Sequence, residues 1–173
     1  MKNWFLAFVL IVFLAAPTAS LRAQTTAGPQ VEFKPRAEVS GVAAGSAFLA
    51  FRGGMSYDGM WGFKFGTSSK KRFGVEGSFE QSMAYRDMRY AGGDFVLNFP
   101  GSTSNSKTVP FLHIGAGSHF FENRGRGALS FGAGVKHYFN DHIGFRFGVQ
   151  DRLIFQNSRV HRLDVYGGII FRF

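Results

Sequence analysis

The sequence contains no cysteine, which removes disulfides, thiol nucleophiles and thiolate metal sites from consideration. Acidic residues are scarce: 11 Asp and Glu stand against 20 Lys and Arg, for a formal charge of +9. After Ala16 no apolar run approaches the about 20 residues that a spanning helix requires, so any crossing of a bilayer falls to strands. Mean hydropathy is near zero at -0.03. A transmembrane barrel averages to such a value because every second residue of each strand faces a polar interior. The period of the pattern is therefore more informative than its mean.

That period is clearest in the last eleven residues. Leu163, Val165, Gly167, Ile169, Phe171 and Phe173 fall on one face, and Arg162, Asp164, Tyr166 and Arg172 on the other. Side chains sort this way only on a β-strand. One face suits hydrocarbon, the other water or buried polar partners, and the chain ends on an aromatic suited to a membrane interface.

At the other end, Lys2 precedes the apolar run Trp4 to Ala16, followed by Pro17, Ala19, Ser20 and Ala23. A positive start, an apolar core and a small-residue exit make a secretory signal peptide over residues 1–23. Cleavage after Ala19 or Ser20 satisfies the pattern as well, and an uncleaved anchor helix is the competing reading. Lys2 and Arg22 lie in this segment and no acid does, so its removal lowers the formal charge from +9 to +7. For an exported chain the counterpart of that charge is anionic outer-leaflet lipid rather than nucleic acid.

Composition favours strands: 22 Phe suit a pleated surface and 23 Gly permit close packing and turning. Residues 24–36, with Pro29 and Pro35, read as a periplasmic lead-in, and 37–173 as the barrel. A first strand runs about 37–45, its alternation weakened by Gly41, Ala43, Ala44 and Gly45. The stretch 46–58 reads as a long connection broken at Arg52-Gly53-Gly54, although 47–51 can extend the strand. Further strands follow at about 59–67, 73–83, 89–99, 109–121, 128–139 and 143–155, with an eighth ending at Phe173. Asn140-Asp141-His142 is a tight hairpin turn, 122–127 is another, and Asp151 breaks the alternation, which suggests a bulge or the membrane interface. Eight is an even number, and strands of roughly 10 residues plus turns fit the smallest outer-membrane barrels. Both termini then lie in the periplasm.

The polar faces gather Glu38, Glu76, Glu80, Asp94 and Asp164 against Lys64, Lys136, Arg146, Arg152, Arg162 and Arg172, together with His113 and His119. An eight-stranded barrel is just wide enough for side chains to fill, and an unpaired buried charge is costly. These groups are expected to pair across a plugged lumen. The alternatives are a narrow channel for small solutes or ions, a lipid-modifying enzyme, and a secreted β-sandwich. Against an enzyme, Ser118 and His119 are adjacent and point to opposite faces, and no His-x-Ser occurs. His113 and His119 are about 20 Å apart along a strand, and His137 and His142 flank a turn with no third ligand. No catalytic residue, metal or cofactor is expected. Tyr57 with Asp58, and Arg124 with Arg126, are outward-loop groups suited to lipopolysaccharide phosphates.

Several stretches, taken together, resemble the porin-like "outer membrane protein beta-barrel" family of Gram-negative-type bacteria, which includes OmpA-like and OmpX-like eight-stranded domains. They are Pro35-Arg36-Ala37-Glu38-Val39, Phe73-Gly74-Val75-Glu76-Gly77, Val109-Pro110-Phe111-Leu112-His113, Phe131-Gly132-Ala133-Gly134-Val135 and Gly168-Ile169-Ile170-Phe171-Arg172-Phe173. The pattern is most similar to acidobacterial members. The resemblance implies fold, membrane and insertion route, with no common reaction. It also implies that the barrel-assembly machinery reads the last strand, at Leu163, Val165, Ile169, Phe171 and Phe173. A monomeric protein of the cell envelope, with outer-membrane lipid and lipopolysaccharide as its surroundings, is the expected result.

Overall fold

A computed structural model of the chain describes residues 36–50, 54–69, 72–85, 87–99, 107–122, 124–155 and 160–173. The proposed signal peptide and most of the lead-in lie outside the described residues. Eight strands follow in order: β1 (Arg36–Ala50), β2 (Gly54–Ser69), β3 (Phe73–Ser82), β4 (Arg89–Asn98), β5 (Thr108–Phe121), β6 (Arg124–Tyr138), β7 (Ile143–Ile154) and β8 (Val160–Arg172). Each pairs antiparallel with its sequence neighbours, and β1 pairs antiparallel with β8, so the sheet closes into a barrel. Closure extends to the last residue, where Phe173 N donates to Ala37 O at 3.0 Å. Closure also removes the exposed strand edges through which open sheets aggregate.

The first connection is the main departure from expectation. Ser46 to Asp58 is not a long loop, because β1 and β2 continue past it in register from Ser46↔Asp58 to Ala50↔Gly54. Tyr57 and Asp58 therefore belong to β2, and Asp58 is buried with Oδ1 accepting from Ala84 N at 3.4 Å. The small residues that blurred the alternation are paired all the same, since β8 supplies partners as far as Ala50↔Val160. Likewise 122–127 is not all turn: β6 begins at Arg124, so Arg124 and Arg126 are strand residues. Glu122 adopts φ 48 in the short connection left, the left-handed backbone that tight hairpins require.

Inside and outside are sorted by the period of two. Trp61, Phe63 and Phe65 of β2, Phe131 of β6, Phe145 and Phe147 of β7, and Ile169 and Phe171 of β8 are exposed. Asp151 sits in unbroken register between Phe131 and Leu163, so the break in alternation marks a polar outward position and not a bulge.

Glycine explains how the interior holds large groups. Inward bulky residues face glycine across the ladder: Glu80 faces Gly62, Glu76 faces Gly66, His113 faces Gly132, Phe111 faces Gly134 and Tyr166 faces Gly148. A Cβ on Gly148 would lie 2.7 Å from the Tyr166 ring and 2.8 Å from Ala133 O, whereas one on Gly41 meets nothing within 4 Å. Gly148→Ala is expected to destabilise the barrel by about 1–3 kcal/mol through overpacking. Gly41→Ala should stay within about 0.5 kcal/mol of the parent. Urea unfolding midpoints of the two variants in the same detergent provide the comparison.

Candidate functional site: the ion-paired interior

The end of the barrel that carries the termini is organised by Glu38. Its carboxylate accepts from Lys136 Nζ at 2.7 Å, from the Tyr138 hydroxyl at 2.7 Å and from Arg172 Nη2 at 3.0 Å. Lys136 also reaches Glu76 Oε1 at 3.0 Å, and Arg146 Nη1 donates to Glu76 Oε2 at 3.0 Å. Strands β1, β3, β6, β7 and β8 thus meet in one cluster. Aromatic rings complete it: the Arg172 guanidinium lies 3.6 Å from the Tyr138 centroid, and Arg146 lies 5.1 Å from that of Phe111.

The opposite end has its own cluster. Arg152 Nη1 and Nη2 form a fork on Glu80 at 2.7 and 2.5 Å, the bidentate geometry that favours arginine over lysine. Arg162 Nη2 also donates to Glu80 at 3.0 Å. Asp164 accepts from Arg162 Nε at 2.7 Å and from Gln150 Nε2 at 2.9 Å, and pairs with Arg152 Nη1 at 3.0 Å. Arg152 lies 3.9 Å from the Tyr90 ring centroid. Because β3 and β7 are four strands apart in a ring of eight, Glu76–Arg146 and Glu80–Arg152 both span the diameter.

Between the clusters, Asp94 accepts from the Ser130 hydroxyl at 2.5 Å and lies 3.5 Å from His113 Nδ1. Lys64 extends from β2 to Gln150 Oε1 at 3.4 Å and stands 5.0 Å from the Tyr166 ring centroid. His119 is buried edge-on to Phe48 at 6.4 Å between centroids, and its Nε2 has no hydrogen-bond partner. All thirteen polar groups singled out from the sequence therefore point inward, with Arg172 the most open to the mouth at 13 % side-chain exposure. Strand parity also places Tyr90, Phe111, Ser130, Tyr138, Gln150 and Tyr166 on the inward faces, but the expected network counted only charged residues and histidines. The glycines opposite Phe111, Tyr138 and Tyr166 make room for their rings.

The histidines do not converge. His137 Nδ1 is 2.8 Å from Thr108 Oγ1, and His142 Nδ1 is 3.3 Å from Arg172 O. Among the described residues no group of three His, Asp or Glu gathers as a metal site. The proposed assembly residues Val165, Ile169, Phe171 and Phe173 are exposed, and Leu163 is half-buried on the same face.

No known family profile matches the chain, and no curated protein does. Solved structures do. Neisserial surface protein A is similar with a TM-score of 0.64 at 13% identity, over 82% of this chain and 100% of that one. The N-terminal β-barrel domain of Pseudomonas aeruginosa OprF gives 0.62 at 15%, over 81% and 100%. Ail, the attachment invasion locus protein of Yersinia pestis, solved with the heparin analogue sucrose octasulfate, gives 0.55 at 17%, over 80% and 100%. The fold is that of the small eight-stranded outer-membrane barrels.

Proposed function

We propose that the chain spans the bacterial outer membrane as a small barrel whose interior is closed by its own ion pairs, and that its role in the cell envelope is structural or interactive rather than catalytic. The observation that carries this reading is the pair of cross-lumen contacts, Glu76–Arg146 and Glu80–Arg152, made by side chains that are all buried. A water-filled pore needs a polar path free of such cross-links, and eight strands leave little room beside them. The apolar outer surface, the secretory leader pattern and the fold support the location. Anionic lipid and lipopolysaccharide are the surroundings that the basic balance fits, with Arg124 and Arg126 at the end of the barrel opposite the termini. The last strand serves as the segment read by the barrel-assembly machinery, and the protein acts as a monomer.

Planar-bilayer recording of the refolded protein tests the closed interior. The expected trace is a quiet baseline at applied potentials that leave the bilayer intact. Reproducible unit conductance steps, scaling with protein added, would replace this reading by that of a narrow pore for small solutes or ions.

A further inference from the structure

Asp151 and His161 have no part in the interior. They lie on the outward faces of β7 and β8, where His161 Nδ1 meets Asp151 Oδ2 at 2.8 Å. Their surroundings are apolar: Phe131 and Leu163 are the ladder partners of Asp151, and Leu153 is the β7 partner of His161. Eight residues separate Asp151 from Ile143 along β7, about 26 Å of strand at about 3.3 Å per residue and about 20 Å along the axis at a tilt near 40°. With Ile143 at the near edge of an apolar band about 25 Å tall, the pair falls about 5 Å inside the far edge, toward the end away from the termini. The imidazole is 40% exposed and the carboxylate 20%. Asp151 Oδ1 has no hydrogen-bond partner.

We propose that this pair is a contact site for the phosphate of an outer-leaflet lipid headgroup, specifically the phosphomonoester of lipid A. The inference rests on the reading that the apolar outer surface faces lipid. Asp151 accepts the Nδ1 proton and so fixes the tautomer, which leaves Nε2 as the outward nitrogen. When Nε2 is also protonated the ring is a cationic donor to a phosphate oxygen, the stronger kind of hydrogen bond. His137, near the other edge of the band, is held by the neutral Thr108 hydroxyl instead, so of these two the carboxylate-backed imidazole is the one toward the outer side.

The test uses the refolded chain in nanodiscs of phosphatidylcholine doped with lipid A or, separately, with phosphatidylglycerol. Lipid retained by the released protein is measured by native mass spectrometry, and His161 Nε2 is followed by nitrogen NMR. The expected result is severalfold more lipid A retained by the parent than by His161→Gln, a smaller loss for Asp151→Asn, and an Nε2 shift in lipid A discs that phosphatidylglycerol does not reproduce. Equal retention by parent and variants, or an Nε2 signal indifferent to lipid, would reduce the pair to a self-contained ion pair and overturn the site. A shift with phosphatidylglycerol alone would overturn the choice of lipid A. If the chain were not a membrane barrel, the parent would fail to enter the discs at all, which is a separate outcome.

Discussion

Replacing Glu80 by Ala is expected to destabilise the folded barrel by about 3–5 kcal/mol, the cost of removing one partner from a buried ion pair. Glu80 holds two guanidiniums, those of Arg152 and Arg162, which are 1% and 0% exposed. Asp164 remains as their sole carboxylate and already serves both, so one positive charge is left buried without a counterion. Removing Arg162 in the same chain, as Glu80→Ala with Arg162→Met, should recover part of the loss because Arg152 keeps Asp164. Urea unfolding in detergent or lipid gives both numbers. A Glu80→Ala variant within about 0.5 kcal/mol of the parent would mean that water reaches the far cluster and screens it.

The second large effect lies on the opposite face of the same sheet. Substituting Leu163, Val165 and Ile169 together by Asp is expected to abolish insertion. A lysine or arginine on the lipid face costs about 2–4 kcal/mol at the midplane and an acid somewhat less. Three such charges rival the whole stability of a small domain, about 5–15 kcal/mol. Deleting Phe173 should have a milder effect of the same sign, since it removes one exposed aromatic and its backbone bond to Ala37. Heat-modifiable gel migration reports insertion. Migration of the triple variant identical to the parent would show that this face does not meet hydrocarbon.

These two predictions draw on different amounts of what the sequence makes legible. The facing of each side chain follows from a period of two, which is why Leu163 and Ile169 separate from Arg162 and Asp164 in the sequence itself. The partner of each inward charge does not follow. Parity gives the face of a residue and not its depth, and Glu80–Arg152 forms because β3 and β7 stand on opposite walls at one height, which depends on the register of every ladder between them. The length of β1 was hidden for a local reason. Gly41, Ala43, Ala44 and Gly45 carry too little side chain to show alternation, while their pairing is dictated by β2 and β8. Asp151 shows the reverse case: the sequence registers the anomaly, and only the neighbouring strand supplies the His161 that accounts for it.

Glycine connects these cases. In the sequence it reads as a weakness of the strands, since it adds no packing surface and costs conformational entropy. In the barrel it is what lets Glu76, Glu80, Phe111 and Tyr166 lie flat against the facing strand.

The absence of native cysteine makes one measurement especially direct. Single cysteines at successive positions 163–170, each carrying a nitroxide, can be read by electron paramagnetic resonance in lipid vesicles for collision with oxygen, which concentrates in hydrocarbon, and with a water-soluble nickel chelate. The predicted result is oxygen accessibility at 163, 165, 167 and 169, alternating with inward sites at 164, 166, 168 and 170 that neither reagent reaches. Nickel accessibility at 165 and 169, or a loss of the two-residue period, would contradict a closed barrel with hydrocarbon outside and buried charge within.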